Sequence, residues 1–177
     1  MKKELLLQFP FFISLFVLVS VFKGWFSFSY WPFWLGGIVG LFFPYLDHFL
    51  YTFLLKPYEL TSQRVKFLFN SKKYKEAFKL LVDTKFERVD LVIHSVYFQI
   101  IFAVLTFWVL TSSGSLLGRG IVLAFYLHLL IDQYKDYQNQ GSVDRWFKNF
   151  QDFFDQKGKI YYLIVASLLL LVFAFFM

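Results

Sequence analysis

The stretch Leu123–Gln133, LAFYLHLLIDQ, decides how this chain reads. It would pass for the end of a membrane-spanning helix but for His128 and, one turn later, Asp132. Residues four apart share a helix face, so imidazole and carboxylate point the same way. An ionisable group inside a membrane segment costs about 2.5–3.5 kcal/mol even on the lenient insertion scale. Two on one stripe require a partner, a cavity or an ion.

The chain around this stretch has membrane character. Of its 177 residues, 58% are apolar and 24% aromatic, and the mean hydropathy is +0.55. The 27 Phe and 11 Tyr suit lipid contact and membrane–water interfaces. There is no Cys, which excludes disulfides and thiolate metal sites. The net charge of +6 is gathered into particular loops. That distribution points to anionic lipid headgroups as partner rather than to nucleic acid.

Five apolar runs, roughly 5–22, 31–55, 89–110, 115–133 and 160–177, approach the ~20 residues that cross a bilayer core. The first lacks a small-x-small cleavage site and exceeds a signal-peptide core, so it reads as a retained helix. Lys2 and Lys3 precede it. Nine bases lie between Lys56 and Arg88, and five more between Lys135 and Lys159; Lys23 and Arg119 alone fall on the other side. The positive-inside rule then makes the N-terminus and both long loops cytoplasmic, and five spans place the C-terminus outside. The expected architecture is a single all-α transmembrane domain over 1–177.

Both long loops carry helical periodicity. Over 71–83, Tyr74, Ala77, Phe78, Leu81 and Val82 form an apolar face, with Asn70 or Ser71 as cap. Over 142–157, Trp146, Phe147, Phe150, Phe153 and Phe154 repeat the pattern, with Gly158 placed to end it. Two amphipathic helices lying in the cytoplasmic interface are expected.

The first and fifth runs hold no charged residue and no His, and read as lipid-facing support. Each middle run holds one His with an acid nearby: Asp47-His48, Asp90 with His94, and His128 with Asp132. At 1.5 Å per helical residue, the three histidines lie about 9–12 Å from the nearest cytoplasmic base. They are therefore expected at one level, near the inner leaflet. Gly36, Gly37 and Gly40 permit close helix packing. Pro44 predicts a kink just before Asp47-His48. Ser95 is a poor nucleophile candidate, since a helical serine bonds its own preceding turn. Gln99 and Gln133 are candidate supporting groups.

Asp47, His48, His94, His128 and Asp132 together form a ligand set for a divalent ion, zinc or manganese. A divalent cation would balance the two carboxylates, as a low-dielectric site requires. The same residues would serve a proton or ion pathway in a transporter, or a non-catalytic scaffold whose polar groups merely pair. The apolar outer halves of these runs count against a pathway.

Pro44-Tyr45-Leu46-Asp47-His48, then His94-Ser95, then His128 and Asp132 resemble the YdjM-type (DUF457) family of bacterial inner-membrane, metal-dependent hydrolases. That family's pattern is Pro-Asp-x-Asp-His, a later His-Ser, and a final His-x-x-x-Asp. The resemblance covers about 36–133. It implies a divalent-metal site and hydrolysis of a lipid-like substrate or phosphoester, with Asp47, His48, His94, His128 and Asp132 as both metal-binding and catalytic residues. Tyr45 stands where the pattern has its first Asp, and Val89-Asp90 where a His-Arg commonly stands. One potential ligand is therefore missing.

Overall fold

Eight α-helices and no strand make up the described part of the chain. They are α1 (Lys2–Lys23), α2 (Trp31–Phe42), α3 (Leu46–Leu50), α4 (Leu60–Asn70), α5 (Tyr74–Asp83), α6 (Val96–Ser112), α7 (Leu116–Gln140) and α8 (Gln156–Phe176). The computed structural model describes residues 2–88, 91–150 and 153–177, with side chains throughout these except at 2–7, 86 and 149. Val89 and Asp90 lie outside the described residues.

Among the described residues, three helical stretches are long and apolar enough to cross a bilayer, not five: Phe28–Leu55, Leu116–Gln140 and Gln156–Phe176. The other two expected spans give the shorter apolar helices Gln8–Lys23 and Val96–Ser112. The third run is short for a physical reason. Residues 91–95 are not helical; α6 begins only after Ser95, whose extended backbone and hydroxyl cap it by accepting from Phe98 N–H at 3.2 Å. Ser95 is thus a helix cap, not a residue bonded to a preceding turn.

Chain contacts separate two units, Tyr45–Ile93 and Lys2–Pro44 with His94–Met177. In the second, α7 is the central helix. Every residue from Val122 to Gln133 is buried, which is how a helix apolar on all faces is accommodated. Its closest neighbour is α2. A Cβ on Gly36 would fall 2.1 Å from the Leu117 carbonyl oxygen, one on Gly40 2.2 Å from that of Ile121, and one on Gly120 2.2 Å from that of Phe33. Small residues on both helices let the backbones touch. Rings fix the remaining contacts: Phe16 stacks on Phe33 with centroids 4.3 Å apart, and Phe102 meets Phe125 at 4.4 Å.

In the first unit, α4 and α5 form a hairpin whose core is Val65, Ala77 and Leu81, joined by Phe49, Leu68, Phe69 and Leu80. The α5 helix falls where the periodicity predicts. Its cap differs: Asn70 ends α4, Ser71 follows it, and Lys73 precedes α5 without a side-chain cap. Part of the apolar face of α5 packs on α4, a helix the pattern did not reveal, while Tyr74 and Phe78 stay exposed. At Pro44 the helical run changes to a 3₁₀ turn over Phe43–Tyr45 and resumes as α3, as the missing donor requires.

The expected amphipathic helix over 142–157 does not form among the described residues. Gly141 ends α7 in the left-handed region, φ 69°. Successive i→i+3 turns follow, Trp146 N–H to Val143 and Phe147 N–H to Asp144, with one short 3₁₀ turn at Lys148–Phe150. Trp146 and Phe147, adjacent in sequence, are both buried, so these aromatics fill the interior instead of lining one helical stripe. Gly158 lies in the first turn of α8, not at a helix end; its N–H is held by the Asp155 carboxylate at 2.7 Å.

This segment is tied to α8 by Lys159 Nζ and Asp144 Oδ1 at 2.5 Å. That hydrogen bond holds the Asp144 carboxyl below its ordinary range. A carboxyl lowered on folding stabilises above its unfolded value of about 4 and loses that contribution as pH falls through the lowered value. The melting difference between wild type and Asp144→Asn should be full at pH 7 and vanish once the pH has fallen below the lowered value. It should be small throughout, because the Asp144 side chain is 46% exposed and screened by water. Thermal unfolding of both proteins across that range measures it.

Candidate metal centre

Three of the five residues expected to bind metal come together in the second unit. Asp132 and His128 are presented by α7, one turn apart. His94 arrives on the non-helical segment before α6, so its place owes nothing to helical rise from Arg88. All three are buried, at 3%, 0% and 3% exposure respectively.

The donor atoms converge on one point. Asp132 Oδ2 lies 3.6 Å from His94 Nε2 and 3.5 Å from His128 Nε2, and one ligand atom from each residue lies within 4.8 Å of the others. The imidazole rings are 6.3 Å apart, inclined at 73°. Separations of 3.5–3.6 Å are long for hydrogen bonds. They are close to the ~3.3–3.4 Å edge of a tetrahedron with bonds of 2.0–2.1 Å, the geometry of zinc with N and O ligands. The group could therefore hold a metal ion, with three protein ligands and a fourth direction left to another group.

The second carboxylate oxygen has its own donors. Asp132 Oδ1 receives Gln8 Nε2 at 3.1 Å, and Lys135 Nζ lies 3.5 Å away. Gln8 Nε2 also lies 3.4 Å from His128 Nε2. Sequence reasoning missed both residues: Lys135 was counted as a loop base, and Gln8 sits in a run read as lipid-facing support. Trp146 closes the site on another side. Its ring lies 5.5 Å from that of His94, its carbonyl accepts from Val96 N–H at 3.0 Å, and its indole N–H donates to Asp136 at 2.7 Å.

Asp47 and His48 belong to the other unit and are engaged there. The two Asp47 oxygens accept from the backbone N–H groups of Val92 at 3.2 Å and Ile93 at 2.8 Å. These bonds fix the backbone just before His94. His48 Nδ1 accepts from Arg88 Nε at 3.2 Å; the same guanidinium reaches Thr84 Oγ1 and the Leu81 carbonyl. Gln99 and Gln133, expected as supporting groups, bond each other at 2.6 Å, and Tyr162 donates to Gln99 at 2.7 Å.

No family model matches the chain, and neither a curated protein nor a solved structure does.

Proposed function

We propose that this protein is a membrane hydrolase that holds a divalent metal ion at His94, His128 and Asp132. Its substrate is lipid-like or a phosphoester, reached from the cytoplasmic leaflet. The observation that carries this reading is the approach of two imidazole nitrogens to within 3.6 Å of one carboxylate oxygen in a buried site, with a ligand atom from each residue within 4.8 Å of the others. A bound ion would supply Lewis acidity toward a phosphoryl or acyl oxygen. The chain's own residues orient the donors and exclude water: Gln8 and Lys135 hold the outer carboxylate oxygen, and Trp146 covers His94. Asp47 supports the segment that delivers His94. The clustering of bases in both long loops supports a cytoplasmic position for them in a bacterial-type inner membrane, with anionic headgroups as their partner. The resemblance in Asp47-His48, His94-Ser95 and His128 with Asp132 agrees with this assignment.

Metal content tests it. Protein purified without chelators should carry about one zinc or manganese per chain, and His128→Ala should carry none. Metal-free wild type would instead favour a non-catalytic scaffold. That second reading draws on the Gln99–Gln133–Tyr162 and Asp136–Trp146 bonds, in which buried polar groups bond one another.

A further inference from the structure

We propose that Arg145 is the receptor for a phosphate group, and that the substrate of the metal centre is accordingly a phosphoester rather than a neutral acyl ester. The inference rests on the hydrolase reading and narrows its substrate class. Arginine ordinarily lays its carbon stem on apolar surface and keeps its charged head in water. Arg145 does the reverse. The residue as a whole is half-buried, yet all three guanidinium nitrogens are shielded from solvent, and none has a hydrogen-bond partner among the described residues.

Arginine stays cationic in any surroundings and offers five N–H donors in a fixed fork. A buried charge without a counter-charge is strongly unfavourable, so the arrangement calls for an anion. Two acids that touch this segment are engaged elsewhere: Asp144 with Lys159 at 2.5 Å, and Asp136 with the indole N–H of Trp146 at 2.7 Å. Phosphate suits the fork, because its oxygens accept parallel N–H bonds. It also carries its charge before any reaction begins, which an acyl ester does not. The place in the chain fits as well. Trp146, the next residue, is the one whose ring lies 5.5 Å from that of His94, so a phosphate on Arg145 is gripped by the segment that closes the centre. The guanidinium must turn to meet it. Successive turns, Trp146 N–H to Val143 and Phe147 N–H to Asp144, hold the backbone here rather than helix, and the exposed part of the residue is its backbone and carbon stem.

The test titrates full-length protein in uncharged maltoside micelles, with EDTA present, against inorganic phosphate and separately against dihexanoyl phosphatidic acid, read by calorimetry. Wild type should bind both probes saturably. Arg145→Gln should bind them at least about 30-fold more weakly, the low end for removing one partner of a buried charge pair. Arg145→Lys, which keeps the charge without the fork, should fall between the two. Lys148→Gln, which removes an exposed cation of the same segment, should stay within about threefold of wild type; a loss as large as that of Arg145→Gln would assign the binding to diffuse surface charge and overturn the proposal. Tighter binding of phosphatidic acid identifies a lipid headgroup as the source, and equal binding a phosphate recognised without its tail. Binding of neither probe overturns the proposal. So does an Arg145→Gln protein that loses its fold in phosphate-free buffer, since removing a cation without a partner should leave stability unchanged or raised. Because the titration runs without metal, a chain that takes phosphate but carries neither zinc nor manganese would sink the hydrolase and leave Arg145 an anion receptor.

Discussion

Asp132→Asn should weaken divalent-metal binding by more than about 100-fold while the protein still folds. The substitution preserves shape and leaves an oxygen for Gln8, but removes the one anionic donor of the group. Loss of a merely supporting residue costs about 10–100-fold in affinity, and a charged ligand contributes more than its support. Two neutral imidazoles and an amide oxygen would not neutralise a divalent ion in so buried a site. The accompanying loss of stability should stay below about 3 kcal/mol, at the lower end for breaking a buried pair. The reason is that Lys135, whose side chain is 14% exposed, can turn its ammonium to water. Calorimetric metal titration and detergent-unfolding curves measure the two effects separately. A large fall in stability with no metal bound by wild type would identify a structural polar network instead.

Gly40→Ala should cost about 3 kcal/mol of stability, a loss of the same size as a methyl on Gly36 or Gly120 of the same seam. The new Cβ would lie 2.2 Å from the Ile121 carbonyl oxygen, and a backbone atom cannot rotate away as a side chain can. The two helices must separate, which forfeits dispersion contacts along their whole seam. Overpacking of this kind typically costs about 1–3 kcal/mol, and a backbone-on-backbone clash belongs at the top of that range. Since α7 carries His128 and Asp132, the displaced helix should also weaken metal binding. Gly114→Ala is the control: nothing lies within 4 Å of its Cβ, so its effect should stay within about 0.5 kcal/mol. Unfolding of both variants in mixed micelles provides the comparison, and equal midpoints would refute the close α2–α7 seam.

The residues that sequence reasoning located well share a property: their positions depend on local geometry. His128 and Asp132 meet because a helix places residues four apart on one face. The break at Phe43–Tyr45 follows from one missing N–H at Pro44. Gly36 and Gly40 meet backbone because they lack a Cβ. The readings that failed assumed regular helix where the chain leaves it. The depth of His94 was reckoned by helical rise from Arg88, yet residues 91–95 are not helical, and His94 meets His128 by another route. The periodic aromatics of 142–157 belong to turns that bury Trp146 and Phe147.

By itself the sequence determined the membrane character, the all-helical class and the pairing of His128 with Asp132, because composition and short-range periodicity carry that information. Only the tertiary structure decided that His94 completes the group, that Asp47 and His48 serve backbone and guanidinium partners in the other unit, and that Gln8 enters from a helix more than a hundred residues away in the chain. In a helix apolar on every side, no stripe marks which face turns inward. The contacts with α7 orient Gln8, and those contacts exist only once the helices have packed.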